Sequence, residues 1–469
     1  MSFNYMPYPL LLAFIVYFGT LFAISIIHLA KTKTSSDFII GNRSVNYWIT
    51  AIAAHASDMS AWLFMGFPAA IYTNGLTGSW IAIGLIGGMF FSWHFIAHAL
   101  RIKTEEYNVL TLSSFLEKRF SDSSGLLRIC SSLLTIIFFA FYIAAGLTGM
   151  GYVFEAVFHI NYYSGMIIGL AISLLYIMIG GFIAIAWNHF FQGIFLLVMI
   201  IIVPLYGLYN LGSIAPIFAN AGAKNISLSL IPSFSQETFI YILNGIMWGV
   251  GYLGMPHIIV NFMGINDPNY IKHAKYLGMS WQIISLLCAI GVGFVGIGYF
   301  ITLNNNELIF VELVQQLFHP LFTGFILCAI LAATMSTIDT QILVSSSALT
   351  EDIYKKIFHH NASEKQLLWV SRVSILIIAL ISFILAAQKN ATVMGLVSYA
   401  WSGLASSFSP VITAALYSKS VNKWGVFASM LTGAIVAGLW PLTHSPILSL
   451  IPGTIASTIA LFGISKITK

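Results

Sequence analysis

The chain has 469 residues, of which 58% are hydrophobic and only 7% are charged, against about 25% charged residues in an ordinary soluble domain. A water-soluble fold of this length could not bury so much apolar surface, so composition excludes a soluble enzyme and predicts a protein that lies in lipid. The net charge of +5 does not indicate a nucleic-acid partner, because the basic residues lie scattered over short loops.

Thirteen apolar runs are each long enough to cross a bilayer as an α-helix, which takes about 20 residues. The whole chain, 1–469, is therefore predicted to be a single all-α membrane domain without an inserted soluble part. No basic region precedes the first run, and no evident cleavage site accompanies it, which indicates a retained helix rather than a signal peptide. The predicted spans are 8–29, 47–72, 77–98, 127–150, 163–187, 190–211, 238–262, 275–302, 321–346, 370–387, 393–417, 422–440 and 446–465.

The basic residues divide unequally between alternate loops. If the N-terminus is outside, all but two of the 20 Lys and Arg residues fall in inside segments, the exceptions being Lys224 and Lys389. Cytoplasmic loops of membrane proteins carry an excess of Lys and Arg. The distribution thus predicts an outside N-terminus and a cytoplasmic C-terminus, in the cytoplasmic (inner) membrane.

The second and seventh predicted spans contain helix-breaking residues. The second has Asp58 among small polar residues and then Gly66 and Pro68, and the seventh has three glycines and Pro256 within eight residues. Such breaks persist in a membrane only where they line a cavity enclosed by protein. Interrupted helices five apart are typical of inverted five-helix repeats with a substrate site between them. A pair of kinked packing helices is the alternative.

Asp58 is the residue most strongly indicated as functional. A carboxylate near the middle of a span costs about 3 kcal/mol on insertion, so it is usually functional or paired. The alternative is an Asp that caps the start of a half-helix.

The ninth predicted span offers a polar face. Ala333, Ser336 and Thr337 share one side of a helix, and Asp339 and Thr340 continue it by a further step. Hydroxyl and carbonyl oxygens suit a hard monovalent cation such as Na+. Ser and Thr in membrane helices also bond to their own backbone or to a neighbouring helix, and this alternative stays open.

Five segments are distinctive, and in chain order they are GNRS at 41–44, ASDMSAWLFMG at 56–66, IGGFIA at 179–184, WGVGYLGMPHI at 248–258 and SSSALTEDIY at 345–354. In one order and over nearly the whole length, these segments resemble the solute:sodium symporter family. The resemblance implies thirteen helices, an outside N-terminus and a leucine-transporter-type core at 47–417. The first helix would be peripheral, and two further helices would follow at 422–469.

The resemblance also implies functional residues. Asp58 corresponds to the family's essential carboxylate, beside a sodium site of backbone oxygens and two hydroxyls from Ala56, Met59, Ala333, Ser336 and Thr337. Within the family the motifs are most similar to those of bacterial proline-transporting members, which implies sodium-coupled uptake of L-proline by alternating access. The implied substrate site consists of Ser60, Trp62, Tyr142, Trp248, Tyr252 and Pro256. Aromatic walls suit a compact ring with an ammonium group, although Trp and Tyr also populate membrane interfaces.

Three further positions bear on ion coupling. Arg43 matches a position important for coupling in relatives, and a simple positive-inside anchor is the equal alternative. Relatives with a second sodium site carry an aspartate where this chain has His189 and a serine where it has Asp339. One hypothesis is that these two residues pair and bind an ion or pass a proton, which would make transport pH-dependent. The other is that Asp339 only forms hydrogen bonds in a wet cavity.

Other function classes fit less well. The alternatives are sodium or proton symport of another amino acid, a carboxylate or a sugar, a channel-like leak, and a transporter-like sensor. No nucleophile–base set or metal-spaced cluster indicates an enzyme, and no cofactor is expected apart from Na+ as the coupling ion. The expected partners are the small-molecule substrate, Na+ and the lipid bilayer.

Overall fold

The computed structural model describes residues 8–28, 34–389 and 391–468, and most of these residues are helical, with no β-strand among them. Lys31, Lys33 and Lys469, which contribute to the charge distribution between loops, lie outside the described residues. The α-helices are α1 (Tyr8–His28), α2 (Ser35–Ile40), α3 (Tyr47–Ala56), α4 (Ala61–Phe64), α5 (Gly66–Asn74), α6 (Trp80–Phe91), α7 (His98–Glu106), α8 (Leu112–Arg119), α9 (Leu126–Phe158), α10 (Tyr162–Leu211), α11 (Ala215–Ala223), α12 (Gln236–Met247), α13 (Pro256–Gly264), α14 (Ile271–Tyr299), α15 (Ile309–Leu317), α16 (Pro320–Ser347), α17 (Glu364–Ala386), α18 (Val393–Tyr417), α19 (Lys423–Leu439) and α20 (Leu450–Ile467).

The prediction of a multi-pass all-α membrane protein is confirmed. Nine helical segments of the described residues are long and apolar enough to cross a membrane, and a bent pair raises the number to ten. The number thirteen stays a prediction. Two predicted spans, 163–187 and 190–211, form the single helix α10, and its kink lies at Gly181 rather than between them. Glycine takes this position because the backbone there has φ of 60°, which a side chain disfavours.

The second predicted span is broken, as expected. α3 ends at Ala56, α4 begins at Ala61, and the N–H of Ser60 donates to the carbonyl of Asp58 at 3.0 Å instead of continuing the helical pattern. In a continuous helix that N–H would bond to the carbonyl of Ala56, four residues back. The break therefore leaves the Ala56 carbonyl available to another helix.

The seventh predicted span is also broken. α12 continues as a tight helical turn over Trp248–Leu253, and α13 then starts at Pro256 with a bend of 41°. Gly254 lies directly against the backbone of α18 at Ser409, so that a Cβ atom would have no room. Proline at the first position of α13 is favourable, because the missing N–H would have no intrahelical partner.

α16 lies at the centre of the bundle. It packs against α1, α9 and α10, and it belongs to the most deeply buried of the candidate membrane spans. Ser336, Thr337, Asp339 and Thr340 are all at most 2% exposed. Because burying a polar group is costly unless it is partnered, these four side chains require specific surroundings.

Candidate sodium and substrate sites

The break in the second span meets α16 through oxygen atoms. The Ser336 hydroxyl donates to the Ala56 carbonyl at 2.7 Å and lies 3.0 Å from the Ala333 carbonyl, to which the Thr337 hydroxyl donates at 3.1 Å. The structure thus brings together four of the five residues predicted to bind sodium. The fifth, Met59, lies fully buried in the same break. Neutral oxygens grouped in this way are suitable ligands for a hard monovalent cation.

Asp58 is a buried carboxylate next to this cluster. One of its oxygens accepts a hydrogen bond from the Tyr252 hydroxyl, and its backbone carbonyl accepts one from Nε1 of Trp62 at 3.2 Å. Its Oδ1 atom has no hydrogen-bond partner among the residues described. A buried carboxylate with one oxygen unsatisfied favours the approach of a positive charge. This arrangement links the second span to the seventh, which carries Tyr252.

Aromatic rings surround this carboxylate. Tyr252 meets the Trp401 ring edge-to-face at a centroid distance of 5.3 Å, and Trp401 Nε1 donates to the carbonyl of Trp248 at 3.0 Å. The Tyr142 hydroxyl lies beside Ser60 and Trp62. Pro256 is buried at the start of α13. Edge-to-face rings stabilise one another beyond their burial, so the contact between Tyr252 and Trp401 stabilises this aromatic wall.

Three buried residues of this region were missed by sequence reasoning. Gln282 of α14 donates to the Tyr252 hydroxyl at 3.2 Å, and Trp401 of α18 holds Trp248. His257 contacts the Tyr142 ring at 5.7 Å, and neither of its ring nitrogens has a hydrogen-bond partner within the described part of the chain. The available signals were a glutamine inside an apolar span and a histidine directly after Pro256.

His189 of α10 and Asp339 of α16 are brought together, as hypothesised. Nε2 of His189 lies 3.7 Å from Oδ2 of Asp339, and both side chains are at most 1% exposed. This distance is longer than a direct hydrogen bond. Thr340, on the same side of α16, donates to the Ser336 carbonyl at 3.2 Å, so its hydroxyl is bonded to its own helix. The role of the pair in ion coupling stays a prediction.

Arg43 lies apart from the other predicted residues. Its guanidinium donates to the carbonyls of Met263, Thr104 and Val109, each at 2.9 Å. These bonds join the segment before α3 to the ends of α7 and α13. Burial, together with the neighbouring Arg101, lowers the pKa of Arg43 to about 10, which leaves the side chain charged at neutral pH.

Residues 38–433 match the family model described as the Sodium:solute symporter family. The chain belongs to this family. It is 39% identical over 446 residues to the high-affinity proline transporter PutP of Bacillus subtilis, with 94% of each chain covered. It is 38% identical over 471 residues to the sodium/proline symporter of Escherichia coli, covering 98% of this chain and 93% of that protein. A solved structure of a Na+-coupled sialic acid symporter has a similar fold, with a TM-score of 0.85, 16% identity and coverage of 99% and 98%.

Family membership establishes a multi-pass membrane transporter with a leucine-transporter-type fold, and not an enzyme. In the structure of this sodium:solute symporter, the predicted residues lie in three separate regions. The first is the junction of the two broken spans with α16, the second is the pair of His189 and Asp339, and the third is the carbonyl cluster around Arg43. All the predicted residues except Arg43 are buried.

Proposed function

We propose that this sodium:solute symporter takes up L-proline together with Na+ across the cytoplasmic membrane by alternating access. The observation that carries the proposal is the 2.7 Å hydrogen bond between the Ser336 hydroxyl and the Ala56 carbonyl. It joins the broken second span to α16 two residues before the buried Asp58, so an ion at this point can order the segment that faces the substrate. The names of the relatives, a proline transporter and a sodium/proline symporter, support proline as the solute.

In this proposal Na+ is bound by the backbone oxygens of Ala56, Met59 and Ala333 and by the hydroxyl oxygens of Ser336 and Thr337. Each hydroxyl rotates so that its oxygen faces the ion, and it gives up the hydrogen bond that it donates in the structure. The ion then holds the break in the second span against α16. Asp58 supplies the negative charge that offsets the ion in a buried site, since an uncompensated buried charge is costly.

Proline would lie between the broken spans. Trp62, Tyr142, Trp248 and Tyr252 would enclose the ring and face its ammonium group, with Ser60 and Pro256 completing the walls. The free N–H groups of an interrupted helix suit the carboxylate. His257, which is buried against Tyr142, adds hydrogen-bonding capacity at the same place.

Coupling follows from thermodynamic linkage. If bound Na+ orders the substrate site, it raises the affinity for proline, and proline raises the affinity for Na+ by the same factor. Moving one charge through 100 mV supplies about 2.3 kcal/mol. A tenfold sodium gradient adds about 1.4 kcal/mol. Together they allow about 500-fold accumulation for each coupled Na+.

Three further assignments belong to the same proposal. The inverted-repeat core occupies 47–417, with the N-terminus outside and the C-terminus cytoplasmic, which the distribution of Lys and Arg supports. His189 and Asp339, with Thr340 at the edge, form a second ion-coupling site, supported by their 3.7 Å approach. Arg43 holds the cytoplasmic ends of several helices together through carbonyl groups.

The test is uptake by the purified protein in proteoliposomes. Labelled proline should accumulate above its equilibrium level under an inward sodium gradient, and the excess should disappear when an ionophore dissipates the gradient. Unlabelled amino acids, carboxylates and sugars serve as competitors. Equilibration without accumulation would indicate a channel-like leak. Accumulation of a different solute in place of proline would leave the family assignment intact and refute the substrate.

A further inference from the structure

A groove lies at the surface of the bundle, between the broken seventh span, α18 and α20. Its volume is about 640 Å³, within the range of about 300–1,000 Å³ that is usual for small-molecule pockets. Most of its wall is apolar. The apolar residues are Val250 and Leu253 of the turn before α13, Pro410 and Ala414 of α18, and Leu461 and Phe462 of α20.

The groove opens toward the face that lipid would cover. Ile455, Ile459 and Phe462 of α20 are 55%, 68% and 48% exposed and lie on one side of that helix. Tyr417, at the last turn of α18, is 58% exposed and also lines the groove. An exposed apolar stripe on a membrane-spanning helix is the surface that acyl chains contact, so a hydrocarbon chain can reach the groove from the bilayer.

One end of the groove is positively charged. Lys419 lies there between Ser418 and Ser420, just after α18 ends at Tyr417, and it forms no ion pair with any residue that the structure describes. Arg119 donates to the carbonyls of Ala415 and Ser418 at 2.6 and 2.9 Å. Arg119 therefore satisfies two of the carbonyls at this helix end, and the Lys419 ammonium is available for an anion.

We propose that this groove binds an anionic phospholipid, with an acyl chain along Val250, Leu253 and Phe462 and the phosphate at Lys419. An apolar channel that is open to the bilayer and ends in an unpaired cation matches a ligand with a hydrocarbon chain and a negative headgroup. The acyl chain would contact the turn that carries Trp248 and Tyr252. Occupancy of the groove thereby stabilises one conformation of the broken seventh span. The lipid site does not depend on which solute is transported.

The test is native mass spectrometry of the full chain, titrated with phosphatidylglycerol and, separately, with phosphatidylcholine of the same acyl chains. Wild type should retain phosphatidylglycerol more strongly. Lys419→Gln should weaken phosphatidylglycerol binding about five-fold, the effect of one lysine near an anionic lipid. Thr458→Trp, which places a large ring into the groove from a partly exposed position of α20, should reduce adducts of both lipids. The matched control is Lys466→Gln. Lys466 is an exposed lysine in the last turn of α20 and lies outside the groove, so this substitution should leave lipid binding unchanged.

Unchanged phosphatidylglycerol binding in Lys419→Gln would overturn the proposal. Because Lys419 lies on an exposed loop, the fold should tolerate this substitution. Equal loss in Lys419→Gln and Lys466→Gln would show non-specific charge attraction and would also overturn it. Dimers that Thr458→Trp dissociates, without lipid adducts, would assign the groove to a second copy of the chain and overturn the proposal. The measurement uses neither solute nor ion gradient, so its failure is distinct from a failure of proline transport.

Discussion

Two polar sites on α16 differ in how they are built. The first uses the hydroxyls of Ser336 and Thr337 together with the carbonyl that the broken second span leaves free at Ala56. The second joins two ionisable side chains, His189 and Asp339, across helices that are continuous at that point. A broken helix leaves backbone carbonyls free as uncharged oxygen ligands, whereas an intact helix contributes mainly its side chains. The first site therefore suits a metal cation that must be released again in each transport cycle. The second suits a proton or an ion that is held by a charged side chain.

The comparison is tested most severely by Asp58→Asn, which removes the negative charge beside the first site. We expect uptake at limiting Na+ to fall about 100-fold or more, because removing one partner of a buried charge pair costs about 3–5 kcal/mol. The measurement is the initial rate of proline uptake against Na+ concentration. Tyr252→Phe retains the carboxylate and removes the hydroxyl that bonds to Asp58 and Gln282, so uptake should fall about ten-fold or less. Equal rates for Asp58→Asn and wild type would contradict the assignment.

The second site is tested by Asp339→Asn. Losing a charged partner of His189 should lower the uptake rate about ten-fold and change the number of ions that move with each proline, while the sodium dependence of the first site changes little. The ratio of charge to proline flux and the pH profile are the readouts. In the double variant Asp339→Ser/His189→Asp, an unchanged pH profile and ion ratio would show that the pair takes no part in coupling.

The helix breaks beside the first site were easier to predict from sequence than the meeting of His189 and Asp339, for a physical reason. Glycine, proline and small polar residues mark a helix break locally, so the interruption around Asp58 and the bend before Pro256 could be predicted from adjacent residues. The pair of His189 and Asp339 lies 150 residues apart along the chain, and only departures from a family pattern suggested that they meet.

Other features depended on packing that has no local signature. The contacts of Gln282 and Trp401 with the seventh span appear only once α14 and α18 are packed against it. The kink at Gly181 was displaced from the predicted boundary because the apolar pattern continues through it. An uninterrupted apolar run carries no mark of where a helix bends, and a glycine in a membrane helix is too common to provide one.

The smallest effect is expected at Thr340, which lies between the two sites. Its hydroxyl donates to the Ser336 carbonyl of the same helix, so Thr340→Val should change the half-maximal Na+ concentration by about two-fold or less. Sodium titrations of uptake measure this directly. An increase of about ten-fold in the half-maximal Na+ concentration would place the Thr340 hydroxyl among the ion ligands and merge the two sites.

The central claim is that neutral oxygens at the junction of the second span with α16 hold the ion that builds the substrate site. Proline binding to the purified protein as a function of Na+ concentration tests it directly, in wild type and in Ser336→Ala/Thr337→Ala. The matched control is Thr334→Ala, whose hydroxyl bonds to the Ile330 carbonyl of the same helix. In the double variant the Na+ concentration for half-maximal proline binding should rise by about ten-fold or more, and the control should match wild type. Proline binding with the wild-type sodium dependence in the double variant would contradict the claim.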